Sequence, residues 1–205
     1  MSIGPKEQPP VTTPTSHLVE EAIARFDAEN KTCEQALTEL FSHYHGNDNR
    51  AHVLLKVVAL DRLYSTHLPN VYDVTNHIFQ QAPDVDAALA VGSPDVVDRI
   101  ANITTGAKPR ANYSFASKYC SWHNQAAYPI WDLRVRTYFL KLRSQNPSLP
   151  FPRPEGYLWD HYHEFLALVT GFRDYYGLQA FTFKQSDKFL YQEGGEHSRY
   201  VAVNA

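Results

Sequence analysis

The residues from Asn112 to Phe139, NYSFASKYCSWHNQAAYPIWDLRVRTYF, constrain the fold more tightly than any other stretch, because a helical period breaks at one place and then resumes. Phe115, Ala116, Tyr119, Cys120 and Trp122 recur close to the i, i+3/i+4, i+7 spacing of one buried helix face. Pro129 disfavours helix at Tyr128, so the run ends between Asn124 and Pro129. Asp132 then occupies the cap position of a second helix whose apolar residues Leu133, Val135, Tyr138, Phe139 and Leu142 keep the helical spacing. Lys118 lies off the apolar stripe, on a side it shares with Ser114, Ser117 and Ser121, which leaves its amine reachable. A lysine and a carboxylate thus face each other across one helix–turn–helix.

No stretch of the chain alternates convincingly with period two. The sequence therefore reads as all-α, about eight or nine helices in a single compact domain over residues 16–205. Residues 1–15 carry Pro5, Pro9, Pro10 and Pro14 among small polar residues and read as a disordered tail. A helix from Ser16 is expected to end at Asn30, and Thr32 with Gln35 resembles a capping box for the next. The segment from Arg50 to Thr66 is apolar almost all round, which marks it as the central helix with Leu55 and Val58 in the core. Helices follow over Val71–Gln81, over a short Asp86–Val91, and from Ser93-Pro94 through Ala101. Residues 103–111 read as a loop carrying Lys108 and Arg110, and the proline-rich segment from Gln145 to Pro154 as a surface crossing. The last two helices span Gly156–Tyr176, ended by Gly177, and Phe183–Glu193, stopped by Gly194-Gly195.

Composition narrows the function classes. At 205 residues, with 43% hydrophobic and 13% aromatic content, the chain has the material for one sizeable core. A formal charge of −3 supplies no global basic field, so any contact with nucleic acid depends on a local patch. Cys33 and Cys120 form neither a disulfide framework nor a CxxC pair, and a reducing cytoplasm is the expected location. The N-terminus lacks the pattern of a signal peptide, and no apolar run reaches membrane-spanning length. His161 and His163, at i and i+2 on a helix, point about 200° apart and are not expected to share an ion. His43 and His45 read as surface residues, Cys120 as an inert buried thiol, and Lys184 with Lys188 as a solvated helix face. No metal and no cofactor is expected.

The segments VLLKVVALDRLYSTHL, from Val53, and SFASKYCSWHNQAAYPIWDLRV, from Ser114, together resemble a small bacterial branch of the helix-hairpin-helix DNA glycosylase superfamily. In that superfamily a helix carries an amine nucleophile, a short apolar segment follows, and an aspartate starts the next helix. Lys118, Tyr128-Pro129-Ile130 and Asp132 stand here in that order. The resemblance implies a helix-hairpin-helix glycosylase-like fold and a DNA repair enzyme. Such a hydrolase, with lyase activity, would attack the sugar through Lys118 and stabilise developing positive charge with Asp132. DNA is then the partner, and the flipped base is held by Trp122, His123, Tyr128 and Trp131. Read without the resemblance, the same residues fit a non-catalytic helical module that binds nucleic acid or protein. In that reading Asp132 is a helix cap, Lys118 a solvated cation and the aromatic residues core. Geometry discriminates between them, since only the enzyme needs Lys118 and Asp132 on one open cleft.

Overall fold

The computed structural model describes residues 11–105, 108–152 and 161–196. Nine helices and one small hairpin are present among these residues. The helices are α1 (Ser16–His43), α2 (Arg50–Tyr64), α3 (Val71–Gln80), α4 (Ala82–Val91), α5 (Asp95–Ala101), α6 (Tyr113–His123), α7 (Leu133–Gln145), α8 (Tyr162–Tyr175) and α9 (Phe183–Glu196). Strands β1 (Asn102–Thr105) and β2 (Lys108–Ala111) pair antiparallel, with Asn102 opposite Ala111. The expected all-α class holds, and the hairpin occupies the segment read from sequence as a loop.

The central helix is α6, not α2. Every residue from Phe115 to Trp122 is buried, including Ser117, Lys118 and Ser121. Helix α2 instead buries Val53, Lys56, Val57 and Leu60, leaving Leu55 51% and Val58 38% exposed. An apolar excess on α2 disguised its one-sided packing, against α3 on one flank and α6 on the other. Around α6, helices α1, α2 and α5 form a shell, while α9 packs between α1 and α7.

Three expected boundaries move for local reasons. Asn30 does not end α1, because its side-chain amide donates back to the Phe26 carbonyl at 2.9 Å and so stays compatible with the helix. Val11 to Thr15 do not belong to a free tail: Val11 is buried and donates its N–H to Gln145 Oε1 at 2.9 Å, and the Thr12 carbonyl accepts from the Tyr138 hydroxyl. The expected crossing after Gln145 is anchored in the core by Leu149 and Phe151, whose carbonyls accept from Arg143. The start expected for the long helix at Gly156, with Leu158, lies outside the described residues.

Gly194-Gly195 also fails to stop its helix. A Cβ on Gly194 would lie 2.1 Å from the Arg134 carbonyl oxygen, and one on Gly195 would lie 2.7 Å from the Arg134 guanidinium. These glycines permit a close crossing of α9 over the start of α7, within one continuous helix. Gly177, at φ 66° just past α8, ends that helix as expected.

Three substitutions test this packing by urea denaturation. Leu60→Ala, in the buried face of α2, is expected to cost about 2–5 kcal/mol, whereas Leu55→Ala stays within about 0.5 kcal/mol. Gly194→Ala adds one methyl against backbone that cannot yield, and should cost at least about 1–3 kcal/mol. A silent Gly194→Ala would mean that α9 and α7 are not held at this distance.

Candidate functional site

Pro129 interrupts the helices as the sequence requires, and three tyrosine and serine side chains hold the resulting turn. Tyr128 donates its hydroxyl to the Ala88 and Ser93 carbonyls, and Tyr162 donates to the Pro129 carbonyl. The Trp131 N–H donates to Ser117 Oγ at 2.9 Å. Asp132 therefore arrives at the N-terminus of α7 in a fixed place and uses both of its oxygens. Oδ1 caps the helix by accepting from the Arg134 N–H at 2.9 Å, and Oδ2 accepts from Lys118 Nζ at 3.0 Å. A cap and an ion-pair partner coexist in one side chain.

Lys118 is not solvated, as its serine-lined side had suggested. It is 2% exposed, and its amine also donates to Ser114 Oγ at 2.7 Å and lies 5.6 Å from the centroid of the Tyr64 ring. Burying an ammonium is tolerable only with such partners, and Asp132 supplies the compensating charge.

Lys118 and Asp132 line the same cleft, of about 350 Å³, which is large enough for a small organic ligand. Its walls come from α1, α2, α6, α9 and the start of α7. The sequence reading missed five of its polar residues: Glu34, Tyr64, Arg134, Lys184 and Asp187. Lys184 and Lys188, expected on a solvated face, are buried. Lys184 Nζ lies 2.9 Å from the Tyr64 hydroxyl, 3.4 Å from Glu34 and 4.5 Å from the centroid of the Trp122 ring. Lys188 pairs with Asp27 and with Glu34 at 3.6 Å. The signal for this face was present in the i, i+3, i+4, i+7 spacing of Lys184, Asp187, Lys188 and Tyr191, but charge on three of the four obscured it.

The expected base-binding residues do not gather at this cleft. Tyr128 is fully buried in the core. Trp122 is buried too and donates its indole N–H to the Tyr64 hydroxyl at 3.2 Å. Trp131, half-buried, packs against the core, and His123 lies at the far end of α6. Phe26, Tyr64 and Tyr191 are the aromatic rings that line the cleft. His161 and His163 stack ring on ring, and no group of metal-ligating side chains is found among the described residues. No helix among them is long and apolar enough to cross a membrane.

A second polar network closes the other end of α6. Lys56, fully buried, donates to the Gly46 carbonyl at 3.0 Å, to Asn47 Oδ1 at 2.7 Å and to His123 Nε2 at 3.3 Å. Asn47 in turn donates to the Asp86 carboxylate and accepts from the Tyr119 hydroxyl. Burial lowers the Lys56 amine to about 8 against the pull of Asp86 and Asp48. Burial, with Lys56 and His45 nearby, holds His123 well below the usual imidazole range, so the ring is neutral and carries its proton on Nδ1. Burial also thwarts ionisation of the Cys120 thiol, which is inert as expected.

Asp187 stands apart from the other acids of the cleft. Burial pushes its carboxyl up to about 7; Lys184 and Lys118 oppose the shift, while Asp132 and Glu34 add to it. Asp187 and His123 consequently tilt stability with pH in opposite directions. Between about 3.9 and about 7 the folded chain keeps a proton on Asp187 that the unfolded chain has lost, so this contribution disappears as pH rises. Below about 6.5 the unfolded chain binds a proton at His123 that the folded chain excludes, so stability falls as pH falls. Asp187→Asn should therefore make unfolding free energy rise more steeply with pH between 5 and 6.5 than in wild type, by up to about 1.4 kcal/mol per pH unit. Equal slopes in the two proteins would show that Asp187 ionises normally.

Comparison with known proteins places the cleft partly inside a known domain. The family model HI_0787_N, described as an N-terminal domain, matches residues 18–127, from α1 to the turn after α6. That match contains Glu34, Tyr64 and Lys118, whereas Asp132, Lys184 and Asp187 lie beyond it. A relative from Haemophilus influenzae, described as an uncharacterized protein, is 31% identical over 136 residues, 66% of this chain. The chain spans 63% of that relative's length. No solved structure matches.

Proposed function

We propose that this chain, which belongs to the HI_0787_N family, is a DNA glycosylase-like enzyme that removes a base through Lys118 and Asp132. One observation carries the reading: Lys118 Nζ and Asp132 Oδ2 stand 3.0 Å apart on the wall of one cleft, in a lysine–turn–aspartate order. Cleavage forms a bond from the Lys118 nitrogen to the sugar C1′ and breaks the C1′–N bond to the base, which leaves with the bonding electrons. The amine attacks after giving up a proton, and Asp132 Oδ2 is the acceptor already in contact with it. Asp132 passes that proton to the departing base, and the carboxylate so restored stabilises the positive charge that develops on the sugar. Breaking of the C1′–O4′ bond turns this adduct into a Schiff base, and β-elimination of the 3′-phosphate from it then accounts for lyase activity. Phe26, Tyr64 and Tyr191 replace Trp122, Tyr128 and Trp131 as the rings available to a flipped base.

A second reading is favoured by the placement of those three expected residues. Their packing in and against the core leaves the ion pair as a clamp between α6 and α7, in a non-catalytic helical module that binds nucleic acid or protein.

Borohydride trapping on oligonucleotides carrying damaged bases or abasic sites separates the two. Wild type is expected to form a covalent adduct, and Lys118→Gln to form none, since an amide cannot make a Schiff base. Asp132→Asn keeps the cap, because asparagine caps about as well as aspartate, but removes the charge. Its cleavage rate should fall by about 10²–10³ while circular dichroism stays helical. Equal activity of both variants and wild type on every substrate that wild type cleaves would leave the clamp reading.

A further inference from the structure

Asp187 is the carboxyl of the cleft that the ion-pair network leaves over. It is 9% exposed and lines the cavity, yet among the described residues its carboxyl enters no hydrogen bond and no ion pair. The lysines around it are already matched. Lys118 is paired with Asp132, Lys184 with Glu34, and Lys188 with Asp27 and Glu34. Arg134 lies with its guanidinium 4.3 Å from the centroid of the Tyr191 ring. With Asp187 protonated, a cationic ligand would find the other carboxylates of the cleft already paired, at a desolvation cost that a neutral one avoids.

We infer that the Asp187 carboxyl reads the edge of a neutral heterocyclic base in this cleft, by pairing with an N–H and a carbonyl set side by side, as in a lactam. This rests on the reading of the cleft as a base-binding site. A protonated carboxyl offers one O–H donor and one carbonyl acceptor in the same plane, which is the complement of a lactam edge. Phe26, Tyr64 and Tyr191 supply rings for the faces of the heterocycle. Titratable and charged groups surround Asp187 from each packed element. Helix α1 contributes Asp27, Cys33 and Glu34, and α2 contributes Tyr64. From α6 comes Lys118, from the start of α7 Asp132 and Arg134, and from α9 itself Lys184, Lys188 and Tyr191. Burial, opposed by Lys184 and Lys118 and aided by Asp132 and Glu34, holds the carboxyl protonated up to about pH 7, so the donor is present below that and lost above it.

Calorimetric titration with hypoxanthine and with 1-methylhypoxanthine, which lacks the N1–H, tests this without any turnover. Wild type should bind hypoxanthine at pH 6, up to about tenfold more weakly at pH 8, and 1-methylhypoxanthine at least about tenfold more weakly at pH 6. Asp187→Asn keeps a donor beside an acceptor and cannot ionise, so its affinity for hypoxanthine should be the same at both values. Asp187→Leu should lose binding, and if that variant fails to fold, the asparagine variant carries the test. Equal affinity of wild type for the two ligands, unaltered binding by Asp187→Leu, or no binding by wild type would overturn the assignment. Binding that follows Asp187 without any trapped adduct would remove the Lys118 chemistry and keep this inference. An adduct through Lys118 with binding indifferent to Asp187 would do the reverse.

Discussion

A helix buried on every side needs partners for the polar groups it carries, and α6, apart from the Ser121 hydroxyl, finds them on most of the elements around it. Lys118 reaches Asp132 at the head of α7, and Ser117 accepts from the Trp131 backbone in the turn. Tyr119 donates to Asn47 in the α1–α2 connection, Trp122 donates to Tyr64 on α2, and His123 accepts from Lys56 on the same helix. Such contacts are directional, so they fix the rotation of α6 as well as its depth. The cleft is one outcome of this arrangement, since the turn that Ser117 and Tyr128 hold is what delivers Asp132 to Lys118.

The two ends of α6 handle a buried lysine differently. Lys118 has a carboxylate in direct contact, and the pair opens onto a cavity. Lys56 has only carbonyl and imidazole acceptors in contact, with the Asp86 charge reached through Asn47. An ammonium without a touching counter-charge depends on complete hydrogen bonding, and Lys56 satisfies this with three acceptors. The first arrangement keeps a charged pair beside space for a ligand, while the second stitches a connection to the core.

Much of the local structure was legible in the sequence. The break at Pro129, the Asp132 cap and the pairing of Lys118 with Asp132 all followed from spacing and turn chemistry, because those interactions are made between residues near in sequence. Depth was not legible in the same way. Leu55 and Val58 face solvent while Lys56 between them is buried, since which side of α2 meets α6 is decided by distant residues such as Asn47 and His123. Lys184 and Asp187 were hidden for the same reason: their burial depends on Glu34 and Tyr64, far along the chain. A charged stripe reads as a wet face until its partners are known. The glycines of α9 were misjudged because a helix stop and a close helix crossing ask for the same residue.

That crossing has a bearing on the cleft. Gly194 sits seven residues beyond Asp187, about 10 Å farther along the same rigid rod, and rests its α-carbon against the backbone at Arg134, two residues from Asp132. The missing side chain works as a shim of zero thickness. It sets how near the wall bearing Asp187 and Lys184 comes to the wall bearing Asp132, so the gauge of the cavity is fixed at a point where no ligand touches.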